Sequence, residues 1–311
     1  MGRYIRNRLL WMIPVLIGVA VMIFSIMYFV PGDPAAIILG KEAEEWEILA
    51  LRQQMGLEDP FLVQLGRFLW DALHLNFGES YFTGIPVIKE IAARMPRTTM
   101  LGFLSMFFTM LVGVPLGIYA ATHRGQLGDS LVMALALVGV SFPAFWMALM
   151  LVLVFSLRLH WFPATGIGSW KNYVLPVLAS TISGVGTQAR LARSSMLEVI
   201  RSDYITTARS KGLKEREVIY KHALPNALLP ILTSAGSRLA HIFGGSTIIE
   251  TVFSIPGIGT YMINAVNNRD YPIVRASVLV LAILFSLVML LVDLAYAFVD
   301  PRIKARYAGT K

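Results

Sequence analysis

The chain has 311 residues, 56% of them hydrophobic and 15% charged, with mean hydropathy +0.64 and a formal net charge of +8. Soluble domains average about 25% charged residues, so this balance excludes an ordinary water-soluble globule and points to lipid as the solvent. The absence of cysteine excludes disulfides, thiol catalysis and thiolate-bound metals.

A spanning helix needs roughly 18–25 apolar residues. In chain order, six stretches are expected to span: 9–30, 98–122, 131–157, 173–189, 226–249 and 275–299. The first three carry no charge. The stretch 173–189 is richer in Gly, Ser and Thr, as in helices that pack inside bundles. The stretch 226–249 carries Arg238 and His241, and 275–299 carries Arg275 at its edge and Asp293 inside. The first run is too long for a signal-peptide core and no small-residue cleavage site follows, so it reads as a retained anchor. The expectation is an all-α integral membrane protein. A first span (1–30) precedes an outer segment (31–97), then a core of five helices (98–300) and a short tail (301–311).

Pro31-Gly32-Asp33-Pro34 stops the first span. In 41–55, Ile48, Leu51 and Met55 share one helical face. In 61–73, Phe61, Leu62, Leu65, Phe68, Leu69, Ala72 and Leu73 recur at helical spacing. These predict two short amphipathic helices on the outer mouth of the bundle, either packing against it or touching a ligand. Turns are expected at 76–78 and 83–86, and a short helix at 87–95 leads into the second span. The irregular loop 158–172 carries Trp161 and Trp170, which suit a membrane interface.

Lys and Arg gather at the ends of alternate spans. With the N-terminus inside, sixteen of them fall on the inner side, eight of these between Arg190 and Lys221. The two short outer loops hold only Arg158, Lys171 and Arg269. This asymmetry predicts both termini in the cytoplasm, and it explains the basic charge without nucleic acid. The six basic residues of the long outer segment weigh little, because long loops translocate largely regardless of charge.

The most polar inner segment is 190–222. At its centre Tyr204-Ile205-Thr206-Thr207-Ala208-Arg209-Ser210-Lys211 reads as a helix, with Ser202 or Asp203 as N-cap and Gly212 as the left-handed residue after it. The helix resumes over 215–222, and Pro225 marks re-entry to the membrane. A short basic helix with small residues is either a solvated loop or a docking element. The segment resembles the EAA loop of ATP-binding-cassette importer permeases: Glu-Ala-Ala, three residues, Gly, nine residues, Ile, one residue, Leu-Pro. In that register the triplet falls on Thr206, Thr207 and Ala208, and the end on His222, Leu224 and Pro225. Ala208, Gly212, Leu224 and Pro225 match; the Glu, the first Ala and the Ile do not. Those departures are similar to the oligopeptide/dipeptide branch, where Thr-Ala-Arg-x-Lys-Gly-Leu is usual.

The likeness continues through Pro31–Pro34, Gly56-Leu57, Phe77-Gly78 with Ser80, Arg94-Met95-Pro96 and 193–198. It resumes in Glu250-Thr251-Val252-Phe253, Pro256-Gly257-Ile258-Gly259, Arg269-Asp270-Tyr271-Pro272 and Asp300-Pro301-Arg302. The resemblance implies a type I importer permease in the cell membrane, pairing with a second, non-identical permease. It also implies two ATPase subunits and an outside substrate-binding protein. ATPase docking would fall on Tyr204, Thr206, Thr207, Ala208, Lys211, Gly212, Leu213, Leu224 and Pro225, with Ala208 facing a groove on the ATPase. The cargo would be di- or oligopeptides, or alternatively a nickel chelate, glutathione or an oligosaccharide.

No ATP site is expected in this chain. The only Gly-Lys is Gly40-Lys41, followed by Glu42, and position 35 is Ala, so no phosphate-cradling loop forms. ATP and Mg would be bound by the partner subunits, leaving this chain without a cofactor. No His or Met cluster marks a metal site in the outer loops. A secondary transporter is the rival reading; ATP dependence would separate the two. A Ser/His dyad of His241 and Ser246 is disfavoured, because five positions on a helix stand about 140° apart. Arg238 and His241 share a helix face, which must look into the bundle or a watery path. Asp293 could pair with Arg238, or the charges could meet cargo in the pathway.

Overall fold

The computed structural model describes residues 2–40 and 42–299. Its regular elements are helices, with one bridge between Glu79 and Pro86. In chain order they are α1 (Gly2–Phe29), α2 (Pro34–Leu39), α3 (Glu45–Gln54), α4 (Phe61–Leu73), α5 (Val87–Thr122), α6 (Leu127–Ser141) and α7 (Ala144–Leu151). After these come α8 (Lys171–Ile200), α9 (Asp203–Ser210), α10 (Glu215–Glu217), α11 (Leu224–Val252), α12 (Ile258–Asn268) and α13 (Tyr271–Val299). Two π-helical stretches, Val152–Arg158 and Val218–Ala223, continue α7 and join α10 to α11.

By length and composition, three stretches can cross a membrane: Ile5–Phe29, Val87–Thr122 and Tyr271–Leu294. The expected span 131–157 is instead a broken pair, Leu127–Ser141 and Ala144–Arg158, bent by 98°. Pro143 is the cause. It lacks an N–H and disfavours helix at the residue before it, and Phe142 accordingly turns extended (φ −89°, ψ 134°). Counted as one span, the pair makes a fourth. The other two expected spans lie within α8 and α11, of 30 and 29 residues.

Helix α8 is central, packing against α5, α6, α7 and α11. Close approach needs glycine there. An added Cβ at Gly117 of α5 would stand 2.5 Å from the Ala189 carbonyl oxygen of α8, too near for any side chain. Outward, Trp11, Phe29, Leu127, Leu131 and Leu135 are each more than half exposed. Such apolar surface is unsuited to water and is what lipid-facing helices present.

The segment between α1 and α5 is ordered by short-range caps and by packing on α1. Asp33 caps α2, its Oδ1 accepting the Ala35 N–H at 3.1 Å, with Pro34 at the first helical position. Helix α4 lays Phe61 and Phe68 against Phe24 of α1, both at 5.5 Å between ring centroids. Helix α3 buries no residue. The helix expected at 87–95 runs unbroken through Pro96 into the span, so α5 has 36 residues. Ser80 donates 2.6 Å to Asp270, both buried, which ties the segment between α1 and α5 to the start of α13. Beside that bond, burial pushes the Tyr81 hydroxyl up to about 12.

Candidate functional site

The polar segment after α8 forms a small platform. Ser202 precedes α9 at the N-cap position; its backbone is extended (ψ 152°) and its carbonyl accepts the N–H of Ile205 at 3.1 Å. Its hydroxyl does not cap; it donates back to the Val199 carbonyl at 2.6 Å. Gly212 holds φ +76°, the left-handed turn its identity allows. Across that turn Arg209 clasps Glu215 with two bonds, 2.7 and 3.1 Å, which hold the Glu215 carboxyl below its usual range. Both side chains are at least 40% exposed, so solvent screens the pair and it contributes little.

The two faces of α9 differ. Ile205 and Ala208 are buried in one apolar cluster with Ile118, Ala121, Met196, Val218 and Ala223. Ala208, expected to meet a partner, therefore packs inward on this chain. A helix seated through residues on successive turns must bury one face, and the small side chain serves the close approach to the bundle. Tyr204, Thr206, Thr207, Lys211, Gly212, Leu213 and Pro225 are exposed, and Leu224 is half-buried. Tyr204 and Tyr220, 47% and 55% exposed, stand out on the free surface.

A charge pair ties α8, which leads into the platform, to α6. Arg193 of α8 reaches Asp129 of α6 with two bonds, 2.6 and 2.8 Å, and Gly125 N–H adds a third to the same carboxylate at 3.0 Å. This geometry is bidentate and mostly buried.

The intramembrane charges do not pair as expected. Asp293 accepts from Arg8 of α1 at 2.9 Å, not from Arg238. Arg238 donates 3.0 Å to Ser183 of α8 instead. Both α1 and α11 pack beside α13, so adjacency alone does not choose the partner; the Asp293 carboxylate meets the cation of α1. The side chain of His241 lies outside the described residues. Ser246 donates 3.2 Å to Glu250, so its hydroxyl serves a carboxylate network.

The sequence does not by itself reveal that network, although it contains the motifs that build it. Glu250 is fully buried. It accepts the Thr98 hydroxyl at 2.7 Å and the Thr260 N–H at 3.0 Å. Thr98 in turn accepts the Ile258 N–H at 2.9 Å. Two long-range side chains thus cap the N-terminus of α12. A Cβ at Gly257 or Gly259 would collide with the Glu250 carboxylate, which explains the two glycines after Pro256. The sequence signal was the pairing of an acid at the end of an apolar run with a Pro-Gly-x-Gly turn. No group of three or more His, Asp or Glu that could hold a metal occurs among the described residues.

The chain matches two family models. Residues 113–305 match the binding-protein-dependent transport system inner membrane component, and residues 1–102 match the N-terminal part of such membrane components. It is 41% identical over 304 residues to the glutathione transport system permease protein GsiC of Salmonella paratyphi A, covering 98% of this chain and 99% of that one. It is also 41% identical to the dipeptide transport system permease protein DppB of Alkalihalophilus pseudofirmus, covering 97% and 99%. A chain of the MetNI methionine ABC transporter in an inward-facing conformation superposes with a TM-score of 0.56 at 20% identity, over 68% of this chain and 97% of its own. At that identity the likeness speaks for the fold alone. The chain belongs to the binding-protein-dependent transport inner membrane components: it is a multi-pass inner-membrane permease of an ATP-binding-cassette transporter, working with ATPase subunits and a binding protein, and is not itself catalytic.

Proposed function

We propose that this permease forms half of the pathway for small peptides or glutathione, beside a second, non-identical permease and above two ATPase subunits. In this reading α1, α5, the α6–α7 pair, α8, α11 and α13 are six spans, with both termini cytoplasmic. The basic asymmetry of the short loops supports that orientation. The cargo class follows the glutathione and dipeptide names of the full-length relatives. The observation that carries the coupling role is the two-faced α9. Its inner face is locked into the bundle core, and its outer face offers Tyr204, Thr207 and Lys211 to a partner. A rigid seat beneath an exposed face is what transmits a push from closing ATPases.

Reconstitution with the second permease, the ATPases and the binding protein should give uptake of dialanine or glutathione that requires ATP and survives collapse of a proton gradient. Uptake that follows the gradient without ATP would return the secondary transporter. An active complex lacking a second permease would overturn the two-permease assembly. Tyr204→Cys, Thr207→Cys and Lys211→Cys should each crosslink to a cysteine in the ATPase groove, and Ala208→Cys should not. No crosslink from any position between 203 and 214 removes the coupling role.

A further inference from the structure

Arg238 lies midway along the 29-residue α11. Three other arginines of the bundle have carboxylates: Arg8 has Asp293, Arg94 has Glu90 and Arg193 has Asp129, while Arg275 lies over the rings of Phe24 and Phe68. Arg238 has no carboxylate partner among the described residues. Its Nη2 donates to Ser183, and its Nε is buried without an acceptor among the described residues. The guanidinium lies close against Gly184 of α8. A Cβ there would stand 2.8 Å from Nε, 2.9 Å from Nη2 and 2.6 Å from the Thr109 hydroxyl, which also lacks a partner among the described residues. The recess therefore gathers donors and supplies no anion.

The surface beside it is polar in a regular way. On α8, Ser183, Thr187, Arg190 and Ser194 recur at intervals of four, three and four, which is one helical face. On the adjoining α11, Asn226, Thr233 and Ser237 share a face by the same spacing. All seven are at least partly exposed. The exposed face of α5 is by contrast Phe103, Phe107, Leu111 and Val112. Lipid does not solvate a polar stripe, so α8 and α11 turn this one toward water or a partner. Arg238 stands at its mid-depth edge.

We infer that Arg238 is the anion-recognising residue of the translocation surface and takes a free carboxylate of the passing cargo. This rests on the proposed import of small peptides or glutathione, and it narrows that class to solutes bearing a carboxylate. A planar guanidinium matches a carboxylate with two parallel bonds. The neutral Ser183 hydroxyl is a weak resident acceptor, exchanged for a charged one when cargo arrives and restored when it leaves. A permanent acidic partner would hold the site shut against cargo.

The test uses the complete complex with its ATPases and binding protein in proteoliposomes. ATP-driven uptake of dialanine and of glutathione is measured for wild type, Arg238→Lys, Arg238→Gln and Arg238→Glu. A charge-assisted bond is worth about tenfold or more, so Arg238→Gln should lose at least tenfold, Arg238→Lys less and Arg238→Glu most. Purified yield and melting temperature of the complexes should stay level. Dialanine amide should lose less than threefold between wild type and Arg238→Gln. Equal fold-losses for acid and amide overturn the inference, as does wild-type uptake by Arg238→Gln. Yields that fall in the same order as uptake also overturn it, by assigning the charge an acid of the second permease. Absence of ATP-driven uptake of either probe by the wild type overturns the import reading itself, and this inference with it.

Discussion

Thr98→Val isolates the cap of α12. Valine keeps the shape of threonine and removes the hydroxyl. The fully buried Thr98 Oγ1 donates 2.7 Å to Glu250 and accepts the Ile258 N–H at 2.9 Å. Without it the Ile258 amide has no acceptor in a place water does not reach, and Glu250 keeps Ser246 and Thr260. A stranded buried donor costs about 1–3 kcal/mol, and the second lost bond adds about 1 kcal/mol. The sum, about 2–4 kcal/mol, corresponds to a fall in melting temperature on the order of 5–10 °C. Tryptophan fluorescence of the purified permease during heating, with size-exclusion retention as a second probe, reads it. Thr98→Ser keeps both bonds and loses one methyl, so it should fall by no more than about a third as much. A Thr98→Val protein melting within about 1 °C of wild type, or a Thr98→Ser protein falling equally, would refute the capping account.

Gly117→Leu should cut folded yield several-fold, measured by fluorescence-detected size exclusion, because its Cβ would stand 2.5 Å from both the Ala189 carbonyl oxygen and the Ala192 side chain. Gly212→Ala, with nothing within 4 Å but φ +76°, should cost only about 1–2 kcal/mol of backbone strain and keep its yield. A double-mutant cycle of Arg8→Ala with Asp293→Asn should show coupling of up to about 1 kcal/mol in thermal stability, since Arg8 is half exposed. The cycle of Arg238→Gln with Asp293→Asn should be additive, and coupling there would restore the pair that the structure separates. Ala208→Trp should loosen α9 from its seat, seen as new trypsin cleavage after Arg209 or Lys211 in the permease alone; unchanged cleavage would place Ala208 on the outer face after all.

Features governed by neighbours a few residues apart could be read from the chain alone. Pro31–Pro34 ends α1 because proline and glycine act on their own backbone, and Gly212 turns left-handed for the same reason. The amphipathic 61–73 became α4 because its spacing encodes a face. The break at Phe142–Pro143 is equally local in cause, but the apolar run continues across it and so reads as one span. Matters that depend on which helix lies beside which were decided only by the tertiary structure. Helix spacing placed Ile205 and Ala208 on one face, but packing against Ile118 and Met196 determined that this face points inward. Asp293 found Arg8 across 285 positions, and Glu250 found Thr98 across 152. A charge or hydroxyl in a sequence states that it needs a partner, because leaving it unpaired away from water is costly. It does not state which partner, because that choice belongs to distances of about 3 Å set by the packing of whole helices.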